Sequence, residues 1–251
     1  MTSLATPLVV VLGASGGVGA STWAAALAWR MSLHLGECVL VDGDVRGGGL
    51  DMTCGTEHVP GLRWPDLARL RGAASCARLL AALPCGEVPL LSAGGSGAPV
   101  PDSAVLDVVG SVRGEVPVVV DGRVGAAVTA RLVEGADAVH VVAGLRARQL
   151  ADAEALLSGL GSGSGGSGGS EGVVGSGSVV GLVTRGERAV TPELAEVIEH
   201  LGRPHLAHVR DDARVRRDGE RGDWPGLRGA LRDRADSVAL DLVERRGRGA
   251  A

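Results

Sequence analysis

The chain has 251 residues, a formal net charge of −4, 45% hydrophobic and 22% charged residues. That is enough chain to bury one sizeable α/β core, with no overall charge to draw it to nucleic acid or an acidic membrane. Runs of Val and Leu stay far short of the roughly 20 apolar residues of a membrane span. The four cysteines (Cys38, Cys54, Cys76 and Cys85) form no C-x-x-C pair and no regular framework, which argues for reduced thiols in a cytoplasmic protein and against a structural metal. All 25 basic residues are Arg, and Lys, Asn, Phe and Tyr are absent. A GC-rich genome explains that bias, and it leaves Val, Leu and Ala to build the core.

In chain order, Leu8 to Leu12 (LVVVL) reads as a buried strand, followed by a glycine turn and a helix from about Ala20 to Leu35. Cys38 to Val41 is a strand, Leu62 to Leu70 and Cys76 to Leu83 are helices, and Val88 to Leu91 is a strand. A helix over Asp102 to Val112 precedes strands at Val116 to Val120 and Ala138 to Ala143. Arg146 to Leu160 is helical, Val179 to Val183 a strand, Pro192 to Leu201 a helix, and the last helices run from about Pro225 to Arg245. Fully apolar strands bounded by helices predict an α/β fold, a mainly parallel sheet of seven or eight strands covered on both faces. Residues 159–178 are rich in Gly and Ser and read as a flexible loop within one domain spanning 1–251, because the strand–helix alternation resumes after them.

The segment that carries chemistry is LVVVLGASGGVGASTWAAALAWR, residues 8–30. A strand runs into Gly13, Gly16, Gly17 and Gly19, and a helix opens near Ser21 and Thr22. Such glycines turn the backbone tightly and aim several N–H groups into one concavity, which suits phosphate, and Ser21 or Thr22 offers a hydroxyl to Mg²⁺. Two later strands end in Asp42-Gly43-Asp44 and Asp121-Gly122, which puts carboxylates beside the turn, where a nucleotide-bound Mg²⁺ is held.

The turn S-G-G-V-G-A-S-T (15–22) resembles the deviant Walker A motif of the MinD/ParA superfamily, usually K-G-G-V-G-K-[ST]-T. Asp42 and Asp44 match its D-x-D switch, and Asp121 its Walker B aspartate. The segment ADAVHVVAGLRARQLADAEALL is similar to the strand and helix that follow in that family, and Val183 to Arg185 and Val209 to Asp212 to its adenine-side loops. GGGLDMTCGTEHVPGLRWPDL (47–67) is similar to the actinobacterial CpaE-like subgroup, which includes septum-site-determining (Ssd) proteins and members encoded near Tad-type pilus secretion genes. Many of that subgroup carry a further N-terminal domain, whereas this chain starts directly at the first strand.

The resemblance implies a P-loop NTPase fold with ATP and Mg²⁺ as ligands. It implies nucleotide contacts from Gly16, Gly17, Val18, Gly19, Ala20, Ser21, Thr22, Arg185 and Asp211, and metal contacts from Ser21, Asp42 and Asp121. Asp44 takes the place of the residue that positions the attacking water. The family's two lysines fall on Ser15 and Ala20, and a chain without Lys cannot supply one from a partner copy either. Two lost charge-assisted contacts weaken phosphate binding by a few orders of magnitude, and a missing cation costs on the order of 10³–10⁵ in rate. Asp44 is then a relic, and Arg46 and Arg123 read as solvated loop arginines.

The remaining constellations read as structural. His200, His205 and His208 have no accompanying ligand cluster, and no G-x-S-x-G elbow supports a hydrolase triad. The 12 Arg and nine acids from Arg203 onward read as a solvated, mixed-sign face rather than a DNA-binding surface. Leu231, Ala235, Val238 and Leu242 form a stripe that packs the last helix, in preference to a membrane-binding amphipath. The four Trp are expected in the core or a dimer face, with Trp64-Pro65 as the partner contact. The expected function is a cytoplasmic regulator, peripheral to the membrane at most, of septum placement or of Tad-type pilus machinery. It acts through protein partners, with homodimerisation open. A slow Mg-ATPase and a DNA-binding partition protein are the alternatives.

Overall fold

The computed structural model describes residues 6–45, 47, 49–94, 99–161, 178–187 and 191–249. Arg46 and most of the 159–178 Gly/Ser segment lie outside the described residues, as do the side chains beyond Arg245.

One sheet of seven parallel strands organises the described residues, in the order β3-β2-β4-β1-β5-β6-β7. These are β1 (Leu8–Gly13), β2 (Val39–Asp42), β3 (Leu90–Leu91), β4 (Val118–Gly122), β5 (Ala138–Gly144), β6 (Val179–Gly186) and β7 (His205–Arg210). Alternate residues of β1 feed opposite faces: Leu8, Val10 and Leu12 join one apolar layer, Val9 and Val11 the other. The all-apolar strand pattern is thus what a sheet buried on both sides requires.

On the face of Val9 lie α1 (Ala20–Leu35), α2 (Leu50–Cys54) and α10 (Gly229–Gly249). Small side chains let α1 sink deep: Trp23 to Ala28 are all buried, and the helix stops at Gly36, whose left-handed φ of 85° caps it. Leu231, Ala235 and Val238 of α10 are buried in this layer, so the C-terminal stripe packs the helix as expected. The opposite layer includes residues of α3 (Trp64–Leu67), α4 (Cys76–Ala82), α5 (Asp102–Val112), α6 (Ala127–Glu134) and α7 (Ala147–Gly161). Beyond β6 the chain forms α8 (Pro192–Leu201), β7 and α9 (Ala213–Glu220).

Some expected elements are shorter. The helix expected over Leu62 to Leu70 is the single turn of α3, bracketed by left-handed Gly61 and Gly72. α4 stops at Ala82 because Pro84 holds Leu83 extended (ψ 151°). β3 keeps two residues of the expected four, and the helices expected from Pro225 reduce to α10 from Gly229. Two crossovers meet at β1, with β4 on one side and β5 on the other. The chain therefore opens a crevice at the C-terminal ends of the central strands, where open α/β sheets hold ligands.

Candidate nucleotide site

β1 delivers the chain into the glycine turn, and α1 carries it away. Gly17 (φ 75°) and Gly19 (φ 90°) both adopt left-handed backbone, which an L side chain rarely takes. No side chain caps the N-terminus of α1. The first amides of the helix, at Ala20, Ser21 and Thr22, therefore join those of the turn as donors facing the crevice. Ser15 and Ala20, the positions at which the resembled motif carries lysine, both make contacts within the protein. Ser15 Oγ donates to an Asp152 carboxylate oxygen on α7 at 2.7 Å. Ala20 lies against the turn, so close that a Cβ built on Gly13 would sit 3.2 Å from its own Cβ.

The carboxylates come from two neighbouring strands. Asp42 and Asp121 are register partners of β2 and β4, and the Gly43 N–H donates to the Asp121 carbonyl at 2.8 Å. A Cβ on Gly43 would lie 2.8 Å from that oxygen, so glycine is the residue that permits this approach. Asp42 is 4% exposed. Its side chain accepts the Asp44 N–H at 2.9 Å and the Ala93 N–H. Desolvation raises Asp42 to about 7 despite those bonds. Asp121 is likewise raised by desolvation, to about 6, while accepting the Ser21 hydroxyl works the other way. Behind them the buried Trp64 indole N–H donates to the Asp42 carbonyl at 2.7 Å.

Two expectations are corrected on this side. Trp64 is fully buried and cannot be the partner contact, because its indole closes the floor of the site. Arg123 does more than face solvent: its Nη1 lies 3.2 Å from both carboxylate oxygens of Asp44. The residue matching the water-positioning aspartate is therefore held in an ion pair.

On the other flank, Arg185 is the penultimate residue of β6 and Asp211 follows directly on β7. Arg185 Nε donates to Asp211 Oδ1 at 2.6 Å, and its Nη1 donates to the Gly17 carbonyl at 3.2 Å. This strap divides two cavities. The first, about 500 Å³, has Val18, Gly19 and Thr22 at one end and Trp23, Val183 and Trp224 among its apolar walls. The second, about 560 Å³, runs from Gly16 and Gly17 to Arg146 and Gln149. Of the residues expected to contact nucleotide, Gly16, Gly17, Val18, Gly19, Thr22, Arg185 and Asp211 line these two cavities, whereas Ala20 and Ser21 line neither.

These residues fit the groups they suggest. Oxygen-only donors (Ser21, Asp42 and Asp121) with two carboxylates pushed toward neutrality suit a hard divalent cation such as Mg²⁺. A glycine nest beside a partly apolar cavity suits a nucleotide's phosphates and nucleoside. Trp64 and Trp224 lie in the core, one of the two places expected of the Trp, but the bonds made by Asp152, Trp64 and Trp224 have no local signature, since their partners are 137, 22 and 199 residues away.

Elsewhere the titratable groups are structural. His140 is fully buried and accepts the Trp23 indole N–H at Nδ1, and burial lowers it to about 4. His205 and His208 both meet the Thr184 hydroxyl. Among the described residues no group of His, Cys, Asp and Glu could hold a metal by clustering alone, and no helix is long and apolar enough to cross a membrane.

A doubly wound parallel sheet, a glycine turn between β1 and α1 and strand-end aspartates define a P-loop NTPase fold of the MinD/ParA kind. A solved ParA family ATPase from Chlorobium tepidum TLS matches with a TM-score of 0.73 and 16% identity, covering 96% of this chain and 99% of that one. The septum site-determining protein MinD of Pyrococcus horikoshii OT3, complexed with Mg-ADP, matches with a TM-score of 0.70 and 18% identity over 96% and 98% of the two chains. At those identities the likeness establishes the fold. Two curated relatives, uncharacterized proteins of Mycobacterium tuberculosis strains CDC 1551 and H37Rv, are each 34% identical over 248 residues. That alignment covers 96% of this chain and 65% of each relative, so the chain spans less than two thirds of their length. No family model matches the chain.

Proposed function

We propose that the chain is a MinD/ParA-type regulatory protein that binds Mg-nucleotide as a conformational ligand and hydrolyses it weakly or not at all. The observation that carries this reading is the split within the crevice. The glycine turn, Ser21 and the register-paired Asp42 and Asp121 offer amides, a hydroxyl and carboxylates to such a ligand, while the lysine positions of the resembled motif hold Ser15 and Ala20, and Ser15 is bonded to Asp152. Ser21, Asp42 and Asp121 would hold Mg²⁺, which would supply charge neutralisation at the phosphates. The amides of 16–22 would bind phosphate oxygens, and Arg185 and Asp211 would stand on the nucleoside flank. Asp44, paired with Arg123, is poorly placed to orient a water.

The resemblance of residues 47–67 to CpaE-like and Ssd proteins supports a role in septum-site placement or in positioning Tad-type pilus machinery, through protein partners. Titration of fluorescently labelled ATP with Mg²⁺ tests the ligand. Saturable, Mg²⁺-dependent binding that Asp42→Ala weakens supports the reading. Absence of binding, or binding indifferent to Asp42→Ala, removes ATP from it.

A further inference from the structure

We infer that Arg185 is the phosphate-binding cation of this site, reaching the loop from the end of β6 in place of the missing lysine. The inference rests on the nucleotide reading above and changes what Arg185 does within it, from the nucleoside flank to the phosphates. The first observation is where the guanidinium lies. A Cβ built on Gly19 would stand 2.9 Å from Arg185 Nη1 and 3.8 Å from its Cζ. The charge therefore rests directly over the left-handed glycine that shapes the nest. The hydrogen bond from Nη1 to the Gly17 carbonyl fixes it there.

The second observation is how it is held. Asp211 grips Nε, and these two contacts use two of the five guanidinium donors. The side chain is 41% exposed and lines both cavities, so its remaining donors can reach a ligand on the loop. Arg123 is on Asp44 and Arg228 is on Asp218; Arg146, Arg210 and Arg216 also line the two cavities, but Arg185 is bonded to the loop backbone itself, at Gly17. A strand end is also a firm base for the charge, since Arg185 is register partner to both Gly144 of β5 and Val209 of β7. Guanidinium presents forked donors that match phosphate oxygens. A bound polyphosphate and Asp211 then compete for the same cation.

The test compares Mg·ATP, inorganic tripolyphosphate with Mg²⁺, and adenosine as ligands of the wild type, Arg185→Ala and Arg185→Lys, by calorimetric titration. The expected result for Arg185→Ala is a loss of roughly tenfold to a hundredfold in affinity for Mg·ATP and for tripolyphosphate. Adenosine should stay within about twofold of wild type. Arg185→Lys should regain part of the polyphosphate affinity, which a merely structural side chain would not predict. Matching melting temperatures establish that each variant is folded. An equal loss for adenosine and Mg·ATP, or no loss for either polyphosphate, overturns the assignment. Failure of the wild type to bind Mg·ATP at all overturns the nucleotide reading itself, a result distinct from either.

Discussion

The two halves of the crevice have different foundations. Asp42 and Asp121 sit on paired central strands, and the turn beyond them is bonded across that pairing through Gly43. The Trp64 indole buttresses the same backbone from below. Ser15, by contrast, projects from a loop whose path is set by glycines at 17 and 19, and Ala20 is the first residue of the helix that follows it. A side chain on such a loop can change without disturbing the sheet, whereas the aspartates are built into it. On the proposed reading, this difference separates binding from chemistry: backbone amides and strand-end carboxylates would hold a nucleotide without the side chains that accelerate phosphoryl transfer.

Restoring the lost cations should give the largest effect. The double variant Ser15→Lys/Ala20→Lys is expected to raise phosphate release from Mg·ATP by on the order of 10³ or more. A rate that does not move would mean that the block lies elsewhere, with the Asp44–Arg123 pair as the next suspect. On the carboxylate side, Trp64→Ala should cost about 3–5 kcal/mol in urea unfolding and weaken Mg-nucleotide binding with it. Loss of stability alone would show that the floor of the site is independent of its chemistry.

The aspartates also predict a pH dependence. Asp42 at about 7 and Asp121 at about 6 lie above the ~3.9 of an unfolded aspartate. Above about pH 4 the folded state therefore keeps protons that the unfolded state has released. Their contribution to stability is complete below that pH and falls as pH rises through 6 and 7. Asp42→Asn retains an oxygen for the Asp44 N–H, so it should be more stable than wild type at pH 8, by on the order of 1–3 kcal/mol, and indistinguishable near pH 4. His140, lowered to about 4, acts in the opposite direction on the acid side, where its stabilisation is lost as pH falls below about 6.5. The difference between wild type and variant at each pH isolates the aspartate. A constant difference across the range would contradict the assigned burial. The smallest effect belongs to Ser15→Ala, which should cost about 1 kcal/mol through the Asp152 bond and leave nucleotide affinity in place.

Much of this arrangement is legible in the sequence, for identifiable reasons. LVVVL announces a strand buried on both faces, and the spacing of Gly13 to Gly19 before an Ala-rich helix announces the nest. β7 escapes because HLAHVR carries two histidines and an arginine in six residues, so neither a continuous apolar run nor a clean alternation appears. α9 is just as opaque: ARVRRDGE has no buried residue and therefore no apolar stripe to read. α2 is a single short helix ended by left-handed Gly55. Asp42, Asp44 and Asp121 could be singled out because they fall at or just beyond strand ends. The roles of Trp64, Asp152 and Arg123 could not, since each depends on a contact that only the folded sheet creates. Trp64 next to Pro65 suggests an exposed recognition loop until the fold turns the indole inward.

The most direct test of the split between binding and chemistry is phosphate release measured on protein saturated with Mg·ATP, with occupancy established on the same sample. Saturable occupancy with turnover at least on the order of 10³ below that of lysine-bearing MinD/ParA ATPases is the predicted result. Turnover equal to theirs would contradict the account, because a loop without lysine would then be a working catalyst.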